Sequence, residues 1–206
     1  MQTYRCHPSL KPSRLGPVIG NIPLHLQQGE LDGACGPHCM LMALMILGVL
    51  KRTELGSLPK ARSRSLSRLW WMAERNYFEG TTAAELRCML TPYEKSIETR
   101  VLRKNQIART VQVIGALGVA IVNIHNADFN HWVLAVGTGG HSAADDSKPR
   151  ELLILDPGCS PIPLAIWNAT LSTKCDGQGR YSYETPEGRQ RVYIDNVLTV
   201  RSVQPS

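Results

Sequence analysis

From Met40 to Leu50 the sequence runs "MLMALMILGVL", without a single charged or hydrogen-bonding side chain. Such a stretch has to be hidden from water. It falls well short of the ~20 residues that a membrane-spanning helix needs, so it predicts a helix inside a folded domain and no membrane span. Pro37 lies just upstream, where the missing N–H of a proline suits a first helical turn. The chain should fray around 48–52. Cys35 stands at the mouth of this helix, before Gly36 and Pro37. Backbone N–H groups there have no partners inside the helix, so a side chain or ligand at that spot meets unpaired donors.

With 206 residues the chain can bury one sizeable core. We read 1–26 as an N-terminal arm and 27–206 as a single domain. The first twenty residues lack the apolar core and small-residue cleavage site of a secretory signal. The expected location is the cytoplasm, or a target cell reached without the general secretory route. A net charge of +6 is concentrated in "KRTELGSLPKARSRSLSR", residues 51–68. Its basic residues are scattered among Ser, Leu, Pro and Gly, not interleaved with aromatics. It therefore predicts a solvated connection and no nucleic-acid partner. Six cysteines in a domain of this size predict mostly free thiols.

Residues 1–30, rich in Pro and Gly, should be extended or irregular. Helices are expected over 66–77, from a capping box at Thr82 and Glu85 to a stop before Pro92, and over 105–116. The texture then changes to short apolar, β-branched runs at 119–125, 131–139 and 151–156, with one or two more strands in 191–203. Helices first and strands afterwards predict an α+β domain, its helical half packed on an antiparallel sheet. Residues 157–190 give no clear pattern and suggest a long excursion or flap.

Three polar residues stand at the edges of apolar elements: Cys35 opening the central helix, His131 starting "HWVLAVG", and Asp156 ending "LLILD". Adjacent antiparallel strands bring the start of one beside the end of the next, which would set His131 against Asp156. A thiolate is the attacking form of cysteine; a helix N-terminus and a neighbouring imidazolium both favour it. The histidine then serves as acid and base, oriented by the carboxylate. Gln28, or Gln27 beside it, would supply a donor for an oxyanion.

"QGELDGACGP", "HWVLAVG" and "LLILDPG" together resemble the Gln, Cys-Gly, His-Trp and Asp-Pro motifs of papain-like cysteine peptidases. The variety most like them is the bacteriocin-processing, double-glycine leader peptidase type and its stand-alone relatives. The resemblance runs from Gln28 to about Gly158; 1–26, 50–100 and 157–190 match nothing in it. It implies a papain-like fold in which Cys35 is the nucleophile, His131 the acid/base, Asp156 the orienting carboxylate and Gln28 an oxyanion donor, with no cofactor or metal. Family glutamines usually lie six residues before the cysteine; Gln28 lies seven before, a loop one residue longer. The implied activity is hydrolysis of peptide bonds in a protein or peptide substrate, as in a bacterial effector or toxin.

Each signal has a plain structural reading: a packed thiol, a satisfied histidine, a turn aspartate. Their order and flanks together favour catalysis. Cys39, one helical turn from Cys35, reads as a packed thiol. His125 is a rival base without the "WVLAVG" context. Cys35, His38 and Cys39 look like zinc ligands only superficially, because no second pair has metal-site spacing. Two other functions stay open: a papain-like deamidase or transglutaminase acting on a protein glutamine, and a non-enzymatic binding module using 51–68.

Overall fold

Helix α1 (Cys35–Ile46) is buried on every side, as a helix without a polar face must be. A computed structural model describes residues 3–29, 32–56, 64–141 and 148–203. Four short strands, β1 (Thr3–Cys6), β2 (Leu10–Ser13), β3 (Gly16–Ile19) and β4 (Ile22–Pro23), precede α1. After it come α2 (Arg52–Leu55), α3 (Arg64–Arg75), α4 (Ala83–Leu90), β5 (Ile97–Leu102) and α5 (Gln106–Gly115). The remainder is strand: β6 (Val119–His125), β7 (Asn130–His141), β8 (Glu151–Leu155), β9 (Ala169–Cys175), β10 (Tyr181–Thr185) and β11 (Gly188–Ser202). The domain is α+β. Among the described residues no helix is long and apolar enough to cross a membrane.

The strands do not form the simple sheet expected from the sequence. Pairing runs β7-β6-β11-β10-β9-β8 and returns to β7, a closed ring of six antiparallel strands. Closure depends on β9 and β10, which lie in the stretch left unread at 157–190. A barrel removes the unpaired edges that an open sheet would expose. Strand β7 is long enough to pair with β6 and β1 in succession along one edge and with β8 along the other. A bulge between Ala135 and Gly137 bends it. At Gly137 a Cβ would lie 2.5 Å from the Arg5 carbonyl oxygen, so only glycine admits β1 there. Strand β5 adds to β11 outside the ring.

Alternate residues along the strands divide the interior in two. Ile121, Leu134 and Leu198 face outward and pack with Met40 and Leu44 of α1, Leu69 of α3 and Leu86 of α4. Val122, Val133, Ile154, Leu171 and Val192 fill the barrel. Apolar residues on both faces explain why these strands read as continuous apolar runs. Each fully buried Leu or Met contributes about 1.5–3 kcal/mol, so this two-sided packing anchors the elements that carry the site.

The capping box forms as expected: Thr82 Oγ1 accepts from the Glu85 N–H, and Glu85 reaches back to Thr82. Residues 3–23 are more regular than their Pro and Gly content predicts. Strand β1 extends the ring at β7, and β2, β3 and β4 form a separate antiparallel sheet. Residues 57–63, in the middle of the basic segment, lie outside the described residues; its flanks form α2 and the start of α3.

Candidate active site

The pairing of β7 with β8 fixes the central geometry. Leu134 lies opposite Leu155, which brings the first residues of β7 beside the turn that follows β8. His131 Nε2 sits 2.6 Å from Asp156 Oδ1. The other ring nitrogen is not used by Asp156, and His131 and Cys35 line the same cleft, close enough for their charges to interact. The Trp132 backbone N–H points at Cys35 Sγ from 3.5 Å. Strand β7 thus supplies both the imidazole and a donor to the sulfur.

Helix α1 begins at Cys35 itself. Its N-cap, Ala34, offers no side-chain hydrogen bond, so no capping side chain occupies the donors of the first turn. Gly36 is required by crowding. A Cβ there would lie 2.1 Å from Thr81 Oγ1, 3.1 Å from Leu86 Cδ2 and 3.2 Å from Trp132 Cδ1. The Trp132 indole N–H, donating to the Thr81 carbonyl at 2.7 Å, ties β7 to the loop before α4.

Cys35 opens into a cleft of about 310 Å³ whose walls include Gln28, Asp32, Phe78, Gly80, Asn130 and His131. Of the two glutamines, Gln28 lines this cleft, while Gln27 turns its amide to Ser160 Oγ at 3.2 Å. Gln28 Nε2 donates to the Asp32 carbonyl at 2.7 Å, using one of its two hydrogens, and its Oε1 is buried without a partner. The Gln28 backbone N–H bonds the Pro157 carbonyl, 2.8 Å away, and His25 Nε2 bonds the Cys159 carbonyl at 2.9 Å. The glutamine and the aspartate are therefore set by the same turn.

Electrostatics follow from burial and partners. Burial by itself would lower the His131 pKa, but hydrogen bonding and charge interaction with Asp156 and Cys35 outweigh it and hold the group up at about 10. Burial likewise works against ionisation of Asp156, yet its bonds with His131, Tyr183 and the Gly158 N–H keep the carboxyl below its ordinary range. At neutral pH the pair is imidazolium and carboxylate.

Three supporting residues escaped the sequence reading. Asn168, the residue just before β9, accepts from the Asp156 N–H at 2.7 Å and donates to the Asp156, Cys159 and Ser160 carbonyls. Tyr183 on β10 reaches Asp156 Oδ2 at 2.5 Å. Asp32 holds the loop between Gln28 and Cys35, accepting from the Gly29 and Ala34 N–H groups and from the Tyr77 hydroxyl. Asp32 alone had a signal: an acidic residue just before a helix start. Nothing in "WNAT" or "YSYET" marks the other two.

The remaining candidates lie elsewhere. His125 stacks on Tyr193 at 5.5 Å, and His38 Nδ1 bonds the Ala34 carbonyl. Cys39 is fully buried and donates to the Trp132 carbonyl. All six cysteines are unpaired.

Comparison with known proteins adds a likeness to solved structures. Neither a family model nor a curated protein matches the chain. Among solved structures it is similar to a candidate C39-like peptidase from Bacillus anthracis, at 14% identity and a TM-score of 0.47, over 98% of each chain. Residue roles rest on the geometry of the cleft.

Proposed function

We propose that the protein is a papain-like cysteine peptidase that cuts peptide bonds through a thioester on Cys35. One observation carries this reading. A cysteine at an uncapped helix start and a histidine, far apart in sequence, line one cleft, and the histidine is hydrogen-bonded from behind to a buried aspartate.

In this reading the Cys35 thiolate attacks the carbonyl carbon of the scissile bond, and the π electrons move to oxygen. The oxyanion is met by the unpaired N–H groups at the start of α1 and by the second Gln28 N–H. The His131 imidazolium gives its proton to the leaving nitrogen as the C–N bond breaks, leaving a thioester and a free amine. Water then attacks the thioester while His131 takes its proton. The C–S bond breaks, a carboxylic acid departs, and thiolate and imidazolium are restored. Asp156 keeps the imidazole in one orientation throughout.

In this reading the cleft beside Cys35 and His131 takes the scissile segment of a protein or peptide substrate. An effector or toxin role would suit such an enzyme. Attack on a glutamine side-chain amide by the same thiolate would make the protein a deamidase or transglutaminase. Mass spectrometry of candidate substrates, with Cys35→Ala as control and trap, tests the proposal. A cut chain supports it; a gain of about one dalton means the acyl group came from a glutamine amide. Products identical with Cys35→Ala would end it.

A further inference from the structure

Asp156 is buried, and both its oxygens are engaged. Oδ1 faces His131 Nε2 at 2.6 Å and accepts from the Gly158 N–H at 2.7 Å. Oδ2 accepts from the Tyr183 hydroxyl at 2.5 Å and from the Cys159 thiol at 3.5 Å. The Tyr183 ring is packed in the core inside the barrel, 3% exposed, and only its hydroxyl reaches out to the carboxylate. A phenol of β10, distant in sequence from both motifs, thus ends on the aspartate of the site.

We propose that Tyr183 is a positioning residue for the reaction at Cys35, locking the Asp156 carboxylate so that Oδ1 is held against His131. This rests on the cysteine-hydrolase reading and adds to it a residue that touches neither substrate nor sulfur. A carboxylate turns easily about its last torsion, and once ionised in an apolar setting it must be met by donors. An O–H donor to a charged oxygen is short and strong, whereas a thiol donates weakly. Without the phenol, Oδ2 keeps only Cys159. The carboxylate then either rotates or holds a proton more readily, and both weaken its hold on His131.

No neighbouring titratable group replaces the phenol. From α1, Cys35 lines the cleft with the Trp132 N–H at its sulfur, and Cys39 donates to the Trp132 carbonyl. From the segment before α1, His25 spends its Nε2 on the Cys159 carbonyl. The phenol itself stays protonated: burial and the adjacent Asp156 charge push its pKa well above the usual tyrosine value.

The test uses the full chain with ¹³C-labelled histidine, the His131 signal being assigned by its loss in His131→Ala. Tyr183→Phe keeps the ring and removes only the hydroxyl. The proposal expects the His131 titration midpoint to move to lower pH and Cys35 alkylation by iodoacetamide at pH 7 to slow about tenfold. Cys159→Ala should shift both in the same direction by less. An unmoved midpoint and rate in folded Tyr183→Phe overturn the proposal, as does a rate lowered equally at every pH. If Tyr183→Phe does not fold, 3-fluorotyrosine at position 183, a stronger donor, should move the midpoint upward; no movement overturns the proposal. A Cys35 rate insensitive to His131→Ala sinks the hydrolase reading itself. A sensitive rate with an indifferent Tyr183→Phe sinks only this inference.

Discussion

His131 and Asp156, 25 residues apart in the chain, are joined by a 2.6 Å hydrogen bond because β7 and β8 run antiparallel and out of step by the right amount. The first residues of one strand meet the turn leaving the other. Backbone register, more than any local motif, assembles the pair.

Asp156→Asn removes the negative charge that does most to keep His131 protonated against its burial. The His131 midpoint should fall from about 10. Alkylation of Cys35 at pH 7 should slow by about tenfold or more. Labelled-histidine spectra and timed iodoacetamide reactions check the two parts.

The same pair shapes stability against pH. His131 has a raised folded pKa, so its contribution is complete below its unfolded value of about 6.5 and is lost as pH rises towards about 10. Asp156 has a depressed folded pKa, so its contribution is complete above its unfolded value of about 4 and is lost as pH falls. Between those unfolded values, from about pH 4 to 6.5, both are present in full. Melting temperatures from pH 3 to 10 should fall on either side of that window, and Asp156→Asn should flatten both slopes.

Gly36→Ala places a methyl group on top of Thr81, Leu86 and Trp132. Overpacking of this kind should cost about 1–3 kcal/mol in urea denaturation. Since Trp132 also presents its N–H to Cys35 Sγ, the variant should lose thiol reactivity as well.

Asn168→Ala leaves the buried Asp156 N–H and nearby carbonyls without their partner. A loss of about 2–3 kcal/mol is expected. The turn carrying Asp156 should then exchange its amide hydrogens faster than the barrel strands, read by hydrogen–deuterium exchange.

Gln28→Ala separates two reactions of the same sulfur. Alkylation by iodoacetamide forms no oxyanion and should be nearly unchanged. Acylation by p-nitrophenyl acetate passes through one and should slow on the order of 10²-fold. Equal effects on both would remove Gln28 from the oxyanion site.

Much of this was legible from residues alone. The apolar run after Pro37 announced α1, the capping box announced α4, and the change to β-branched runs at 119–156 announced β6, β7 and β8. The residues at the edges of those elements were the ones brought together. What stayed hidden depends on long-range pairing. Strands β9 and β10 carry half-exposed, polar residues such as Thr173 and Ser182, whose pattern resembles a loop until the ring closes around them. The barrel was therefore read as a sheet, and Asn168 and Tyr183, which reach Asp156 only through that closure, carried no local sign. The strands at the N-terminus were missed for a similar reason: β1 is fixed by its partner β7, not by its own sequence.

The central claim is that burial has not made Cys35 inert. Time-resolved mass spectrometry of iodoacetamide labelling at neutral pH compares each cysteine in one sample. Cys35, only 6% exposed, should be modified faster than the solvent-exposed Cys175 and the half-buried Cys88, and His131→Ala should abolish the difference. Labelling in order of exposure, with Cys175 first and His131→Ala without effect, would contradict the account.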